Sequence, residues 1–190
     1  MRRFVAIAMV SLTVIALPGC ASNTSRVPAC THPDDSLFQL MAQSVPSATK
    51  LPCLTEVPAG WIFSGTQMRD GLSRFWLDSG VVGVRTVEVD LAARCDVSGA
   101  VPAPPAPDEA GTRVFISPSS LEPTLATDRF VVFGGGCVTY RFRLPPGTPP
   151  ALLLQGEEAL SFLPRAVVVK EVHDDFGLVL CGAGAPACTD

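Results

Sequence analysis

Seven cysteines stand in 190 residues, at Cys20, Cys30, Cys53, Cys95, Cys137, Cys181 and Cys188, and no other feature restricts the folds open to this chain so strongly. Sulfurs at this density act as cross-links, metal ligands or nucleophiles, and the redox state of the compartment selects among these roles. Zinc-ligand pairs normally lie two to four residues apart, whereas the two nearest cysteines here, Cys181 and Cys188, enclose the six residues GAGAPA. A structural zinc site is therefore not expected. Cys53, Cys95 and Cys137 recur at intervals of 42 residues. The segments beyond Cys53 and Cys137, WIFSGTQMRD and RFRLPPGTPP, share no pattern, so the spacing does not mark a repeat.

The compartment is written at the N-terminus. Arg2 and Arg3 precede fourteen uncharged, mostly apolar residues from Phe4 to Leu17, followed by small residues. A positive start, a short apolar middle and a small-residue exit define a secretory signal, and the apolar part falls short of the roughly 20 residues that cross a bilayer. The exit LPGC, Leu17 to Cys20, resembles the lipobox of bacterial lipoproteins. That resemblance covers residues 1–20 alone. It implies cleavage after Gly19 and acylation of Cys20, which would hold the protein on the extracytoplasmic face of the cell membrane; stable anchoring takes more than one acyl chain. The folded part resembles, at most, uncharacterised exported lipoproteins of high-GC bacteria. With Cys20 used for lipid, six cysteines remain in an oxidising space, an even set that predicts three disulfides among fifteen possible pairings. Cys181 with Cys188 is a plausible local pair.

Loss of residues 1–19 removes two arginines and no acid, taking the formal net charge from −4 to −6. The remaining arginines are scattered among acids and form no basic stripe, so nucleic acid is excluded as an expected partner. The domain reading is a signal peptide over 1–19, a flexible tether over 20–33 and a single α+β domain over 34–190, with a proline-rich loop at 101–111.

Within the domain, DDSLFQLMAQSV places Leu37, Phe38, Leu40, Met41 and Val45 on one helical stripe, with Asp34 or Asp35 as cap and Pro46 as stop. GWIFSGTQ, LSRFWLDS and VRTVEVDLAARC then read as an antiparallel meander. In the third segment Val84, Thr86, Glu88 and Asp90 alternate with Arg85, Val87, Val89 and Leu91, so one face of the sheet is wet and the other needs a cover. TRVFIS, DRFVVF and CVTYRFRL complete about six strands. The glycines of FGGGC supply a hairpin bend rather than a nucleophile elbow, because a strand and not a helix follows Cys137. GTPPALLLQGEEALSFL reads as a helix capped by Thr148. Residues 164–176 admit helix or strand; Pro164 and Gly177 favour helix, with a last strand expected at GLVLC. The fold class is thus an antiparallel sheet of about six strands, an N-terminal helix and one or two C-terminal helices packed on one face, and disulfide staples.

Motifs that carry chemistry are sparse. His32 in HPDD and His173 in HDD each adjoin two aspartates, but adjacent residues rarely converge on one ion, and no metal or other cofactor is expected. His173 could in principle serve Cys137 or Ser64 as a base, though no spacing supports it. Glu157 with Glu158 reads as a solvated helix face, and Asp108 with Glu109 as a loop. Trp61, Phe75, Trp76 and Tyr140 fall on strands, where burial is the ordinary expectation. No catalytic residue is assigned. The functional expectation is a non-catalytic, lipid-anchored binding or accessory module of the cell envelope, with an envelope protein or lipid as possible ligand. The alternative is a carrier holding a lipid or other apolar ligand between sheet and helices, and a cysteine or metal hydrolase stands behind both.

Overall fold

Period-two alternation in the central segments is realised as one large sheet with a dry face and a wet face. The computed structural model describes residues 27–32, 36–117 and 125–188. In chain order its elements are α1 (Ser36–Ser44), β1 (Lys50–Leu54), β2 (Trp61–Arg69), β3 (Leu72–Ser79), β4 (Gly83–Ala92), β5 (Val101–Ala103), a 3-10 turn (Pro107–Glu109), β6 (Arg113–Ile116), β7 (Leu125–Phe133), β8 (Gly136–Leu144), α2 (Pro150–Glu158), β9 (Leu160–Pro164) and α3 (Arg165–Phe176). Seven strands form an antiparallel sheet in the order β2-β3-β4-β8-β7-β6-β5, and β1 pairs with β9 in a separate two-stranded sheet. The α+β class, the single N-terminal helix and the two C-terminal helices agree with the sequence reading, as does helix at 165–176, which ends on Gly177 in a left-handed conformation.

Register sorts the side chains. Phe75 pairs with Val89, Leu77 with Val87, Val87 with Phe142 and Val89 with Tyr140. Those residues are buried together with Phe38, Met41 and Val45 of the α1 segment, Leu51 and Leu54 of β1, and Val168 and Val172 of α3. The helices and the small sheet therefore cover the dry face. Phe162 of β9 meets Phe133 and Tyr140 at ring-centroid distances of 5.7 and 6.3 Å. α2 reaches the sheet at Gly156, where a Cβ would stand 3.3–3.6 Å from Phe142, Trp61 and Val87, so the glycine that weakens the helix by propensity permits its close approach. Among the described residues no helix is long and apolar enough to cross a membrane.

The opposite face carries an ionic ladder over four strands. Arg74 of β3 holds Asp90 of β4 at 2.5 and 2.6 Å; Arg141 of β8 reaches Glu88 and Asp90 at 2.6 and 2.5 Å; Arg143 reaches Asp128 of β7 at 2.8 Å. Trp76 Nε1 donates to Glu88, and Arg85 lies 4.8 Å over the Trp76 ring. Partly exposed pairs contribute little each. Their value is registry, since a slip of one residue would turn every charge into the core.

Several expectations require correction. The segment Val27–His32, read as tether, is attached to the fold: Leu54 N–H donates to Pro28 O at 2.7 Å, Cys30 N–H donates to Leu54 O at 2.9 Å, and Cys30 is bonded to Cys53. Asp34 and Asp35 lie outside the described residues, as do Cys20 and the signal segment. Leu40 faces outward, half exposed, because the buried stripe of the short α1 runs through Leu37, Phe38 and Met41. The proline-rich stretch 101–111 contains β5 and the 3-10 turn, which raises the large sheet to seven strands. The helix expected through Leu163 stops at Glu158. Leu160–Pro164 instead finds a partner in β1, and Thr148 donates to Pro145 O rather than capping α2.

No strand forms at GLVLC. Its Leu180 is buried, and the hydrogen bonds here leave the strand pattern: the Cys181 carbonyl accepts from Arg165 Nη2 at 2.6 Å, and the next N–H but one, that of Ala183, donates to Pro46 O. Arg165 is itself buried, and its Nη1 donates to Ala42 O in the last turn of α1, where a cation suits the helix dipole.

Candidate functional site

The six cysteines form the pairs Cys30–Cys53, Cys95–Cys137 and Cys181–Cys188. Cys137, which follows the glycines, therefore has no free thiol. The glycines form the β7–β8 hairpin, in which Phe133 pairs with Gly136. Gly135 has φ 70°, and a Cβ on it would lie 1.9 Å from Ser47 O, so both backbone angle and contact demand glycine. Ser47 Oγ donates to Gly135 O and Thr49 N–H to Gly134 O, which docks the bend on the chain between α1 and β1.

Residues that could do chemistry at the other positions stay apart or engaged. Ser64 Oγ on β2 donates to Trp76 O. His32 lies exposed beside Thr31, and His173 is exposed in the last turn of α3. Among the described residues no three His, Cys, Asp or Glu side chains group where one metal ion could be held.

What the fold does assemble is a cavity of about 450 Å3 on the dry side, between the 3-10 turn, β7, β8, the end of α2 and the start of β9. Four carboxylates line it, Asp108, Glu109, Glu157 and Glu158, together with Arg129, Tyr140, Ser161, Thr55, Leu160 and Ala106. These acids were read from the sequence as a loop and a solvated helix face. Glu109 is instead buried, because the 3-10 turn folds its carboxylate back onto its own N–H groups: Ala106 N–H donates to Glu109 Oε2 at 2.8 Å. Arg129 grips the same carboxylate through both terminal nitrogens, with Nη2 to Oε2 at 2.6 Å. Burial alone would push the Glu109 carboxyl up; the Arg129 fork and the Ala106 N–H reverse this and hold it below its ordinary value.

Glu157, half-buried at the end of α2, has no such partner among the described residues, and burial pushes its carboxyl above its ordinary value despite the nearby Arg129. Asp108 accepts from Ser161 Oγ at 2.9 Å. Tyr140 is 2% exposed, and its hydroxyl has no hydrogen-bond partner among the described residues. Burial pushes its phenol well up, so it acts as a neutral donor and acceptor.

Neither Arg129 nor Tyr140 stood out in the sequence as part of a site. A signal existed for Arg129: in DRFVVF it shares parity with Val131 and Phe133, and a guanidinium on the dry side of a strand requires a buried anion. That the anion is Glu109, 20 residues earlier, depends on the path through the proline-rich stretch, which no periodicity reveals. The chain matches no known protein family, no curated protein and no solved structure.

Proposed function

We propose that this protein is an exported, lipid-anchored lipoprotein of the cell envelope, whose disulfide-braced domain is a non-catalytic binding or accessory module held on the extracytoplasmic face of the membrane through Cys20. The observation that carries the reading is the division of the seven cysteines: one falls at the end of LPGC, and all six others are paired. Such pairing suits an oxidising space. The hydrolase reading loses its thiol, since Cys137 is bonded to Cys95. The carrier reading calls for an apolar chamber, and the cavity beside the sheet is lined by four carboxylates, which disfavour an acyl chain.

Metabolic labelling with an alkyne fatty acid tests the anchor. The wild-type chain should carry the label and sediment with membranes, and Cys20→Ala should lose both properties. Thiol alkylation under denaturing, non-reducing conditions should find the six remaining cysteines blocked. An unlabelled protein with six reactive thiols would overturn the proposal.

A further inference from the structure

The cavity beside the sheet has the charge of a cation site, and its lining includes the buried residue Tyr140, whose hydroxyl has no hydrogen-bond partner among the described residues. Arg129 is bonded to Glu109 through both terminal nitrogens, so that pair is neutral as a unit, although the guanidinium still partly offsets the burial of Glu157. Asp108, Glu157 and Glu158 then leave the opening with an excess of negative groups. Carboxylates crowded at the mouth of a low-dielectric space raise the local concentration of cations and repel anions. The deeper wall is less polar, made by Leu160 and the ring of Tyr140. Tyr140 is 2% exposed as a residue; its hydroxyl makes no hydrogen bond among the described residues and is not sealed from solvent. That hydroxyl is therefore free to bond to what enters the cavity it lines.

We propose that the cavity binds a small organic cation, an aliphatic ammonium whose N–H groups donate to Glu157 and to the Tyr140 oxygen while its alkyl chain lies against Leu160. A volume of about 450 Å3 falls within the range of small-molecule sites. An ammonium has three donors and no acceptor, which matches a wall of carboxylate and hydroxyl oxygens. Glu157 gains most: burial already disfavours its ionised form, and an adjacent cation would restore it. A metal ion fits less well, because no three ligating side chains converge among the described residues. The proposal rests on the reading of the domain as a binding module and names its ligand class.

The test is titration of the full-length, detergent-solubilised protein with hexylamine, 1,6-diaminohexane, 1-hexanol and hexanoate, followed by calorimetry and by NMR of the tyrosine ring, which is unique because Tyr140 is the chain's one tyrosine. The two amines should saturate, shift the Tyr140 ring signals, and bind at least tenfold more tightly than hexanol or hexanoate. Glu157→Gln should weaken the amines at least tenfold, and Tyr140→Phe several-fold, with folding checked by thermal unfolding of each variant. Equal binding of hexylamine and hexanol, binding unchanged in Glu157→Gln, or no saturable binding to the folded wild type would each overturn the proposal. Such failures would leave the lipid label on Cys20 untouched, so the ligand and the anchor are separately decided.

Discussion

Arg129→Met should destabilise the domain by about 3–5 kcal/mol at neutral pH, the usual cost of removing one member of a buried ion pair. The argument is electrostatic. Arg129 and Glu109 have side chains only 16% and 6% exposed, and among the described residues the guanidinium is the one cation lining a cavity with four carboxylates. Without it Glu109 keeps its Ala106 N–H bond but loses the partner that holds its pKa down, and Glu157 loses the cation that partly offsets its burial. Both carboxyls should then rise. In the wild type the depressed Glu109 contributes stability that is present above its unfolded value of about 4.5 and lost as pH falls through the lower native value. In Arg129→Met the sign reverses, because carboxyls raised in the native state bind protons more tightly there than in the unfolded chain. That variant should regain more stability on going from pH 7 to pH 5 than the wild type, in which Glu157 is raised but Glu109 is held down. Lys50 also acts on Glu109, and Asp108 and Glu158 share the cavity, so the shift belongs to the cluster. Urea unfolding at the two pH values decides the matter. Glu109→Gln should cost less than Arg129→Met, because Glu157 remains to face the guanidinium. The double variant Glu109→Leu with Arg129→Leu should recover much of the loss, since apolar replacements of both partners avoid an orphaned charge. Equal stability of Arg129→Met and wild type at pH 7 would show that the pair is solvated.

That cavity also marks where sequence reasoning ends. The meander β2-β3-β4 and the hairpin β7-β8 were legible because alternation is a local property: Phe75 and Leu77, or Val87 and Val89, announce a dry face without reference to any partner. Glu88, Asp90 and Arg141 announce the wet face in the same way. The helix over 165–176 was legible from its ends, through Pro164 and Gly177. By contrast β9 looks like the end of a helix until β1 is placed beside it, and the pairing joins residues more than 100 positions apart. GLVLC looks like a strand, yet its carbonyl at Cys181 goes to Arg165. The site failed for the same reason. Asp108, Glu109, Glu157 and Glu158 are ordinary surface residues in any local window, and only the closure of α2 and the 3-10 turn over β7 and β8 makes them neighbours of Tyr140.

Removal of disulfides should rank by the length of chain each one closes. A cross-link stabilises chiefly by constraining the unfolded ensemble, and the loop-entropy relation gives about 4 kcal/mol for Cys95–Cys137, about 3 for Cys30–Cys53 and about 2 for Cys181–Cys188. Their sequence separations are 42, 23 and 7 residues. The native context strengthens the first of these. Cys137, the second residue of β8, lies opposite Ala92, the last residue of β4, and is buried, so the bond ties the exit of one central strand to the start of its neighbour. Cys95→Ala with Cys137→Ala should therefore lose the most stability in urea titration. The Cys181–Cys188 double variant should lose least, its effect confined to the tail beyond α3. If the tail pair proved the most costly, chain entropy would not be the governing effect. Taken together the three bonds supply about 9 kcal/mol, against total stabilities of roughly 5–15 kcal/mol for ordinary domains. Fully reduced protein should then be largely unfolded at 37 °C, and the chain from residue 20 onward made in a reducing cytosol should accumulate as protease-sensitive material. Folding would thus be conditional on oxidation, and the acidic cavity would be acquired only where these three bonds can form.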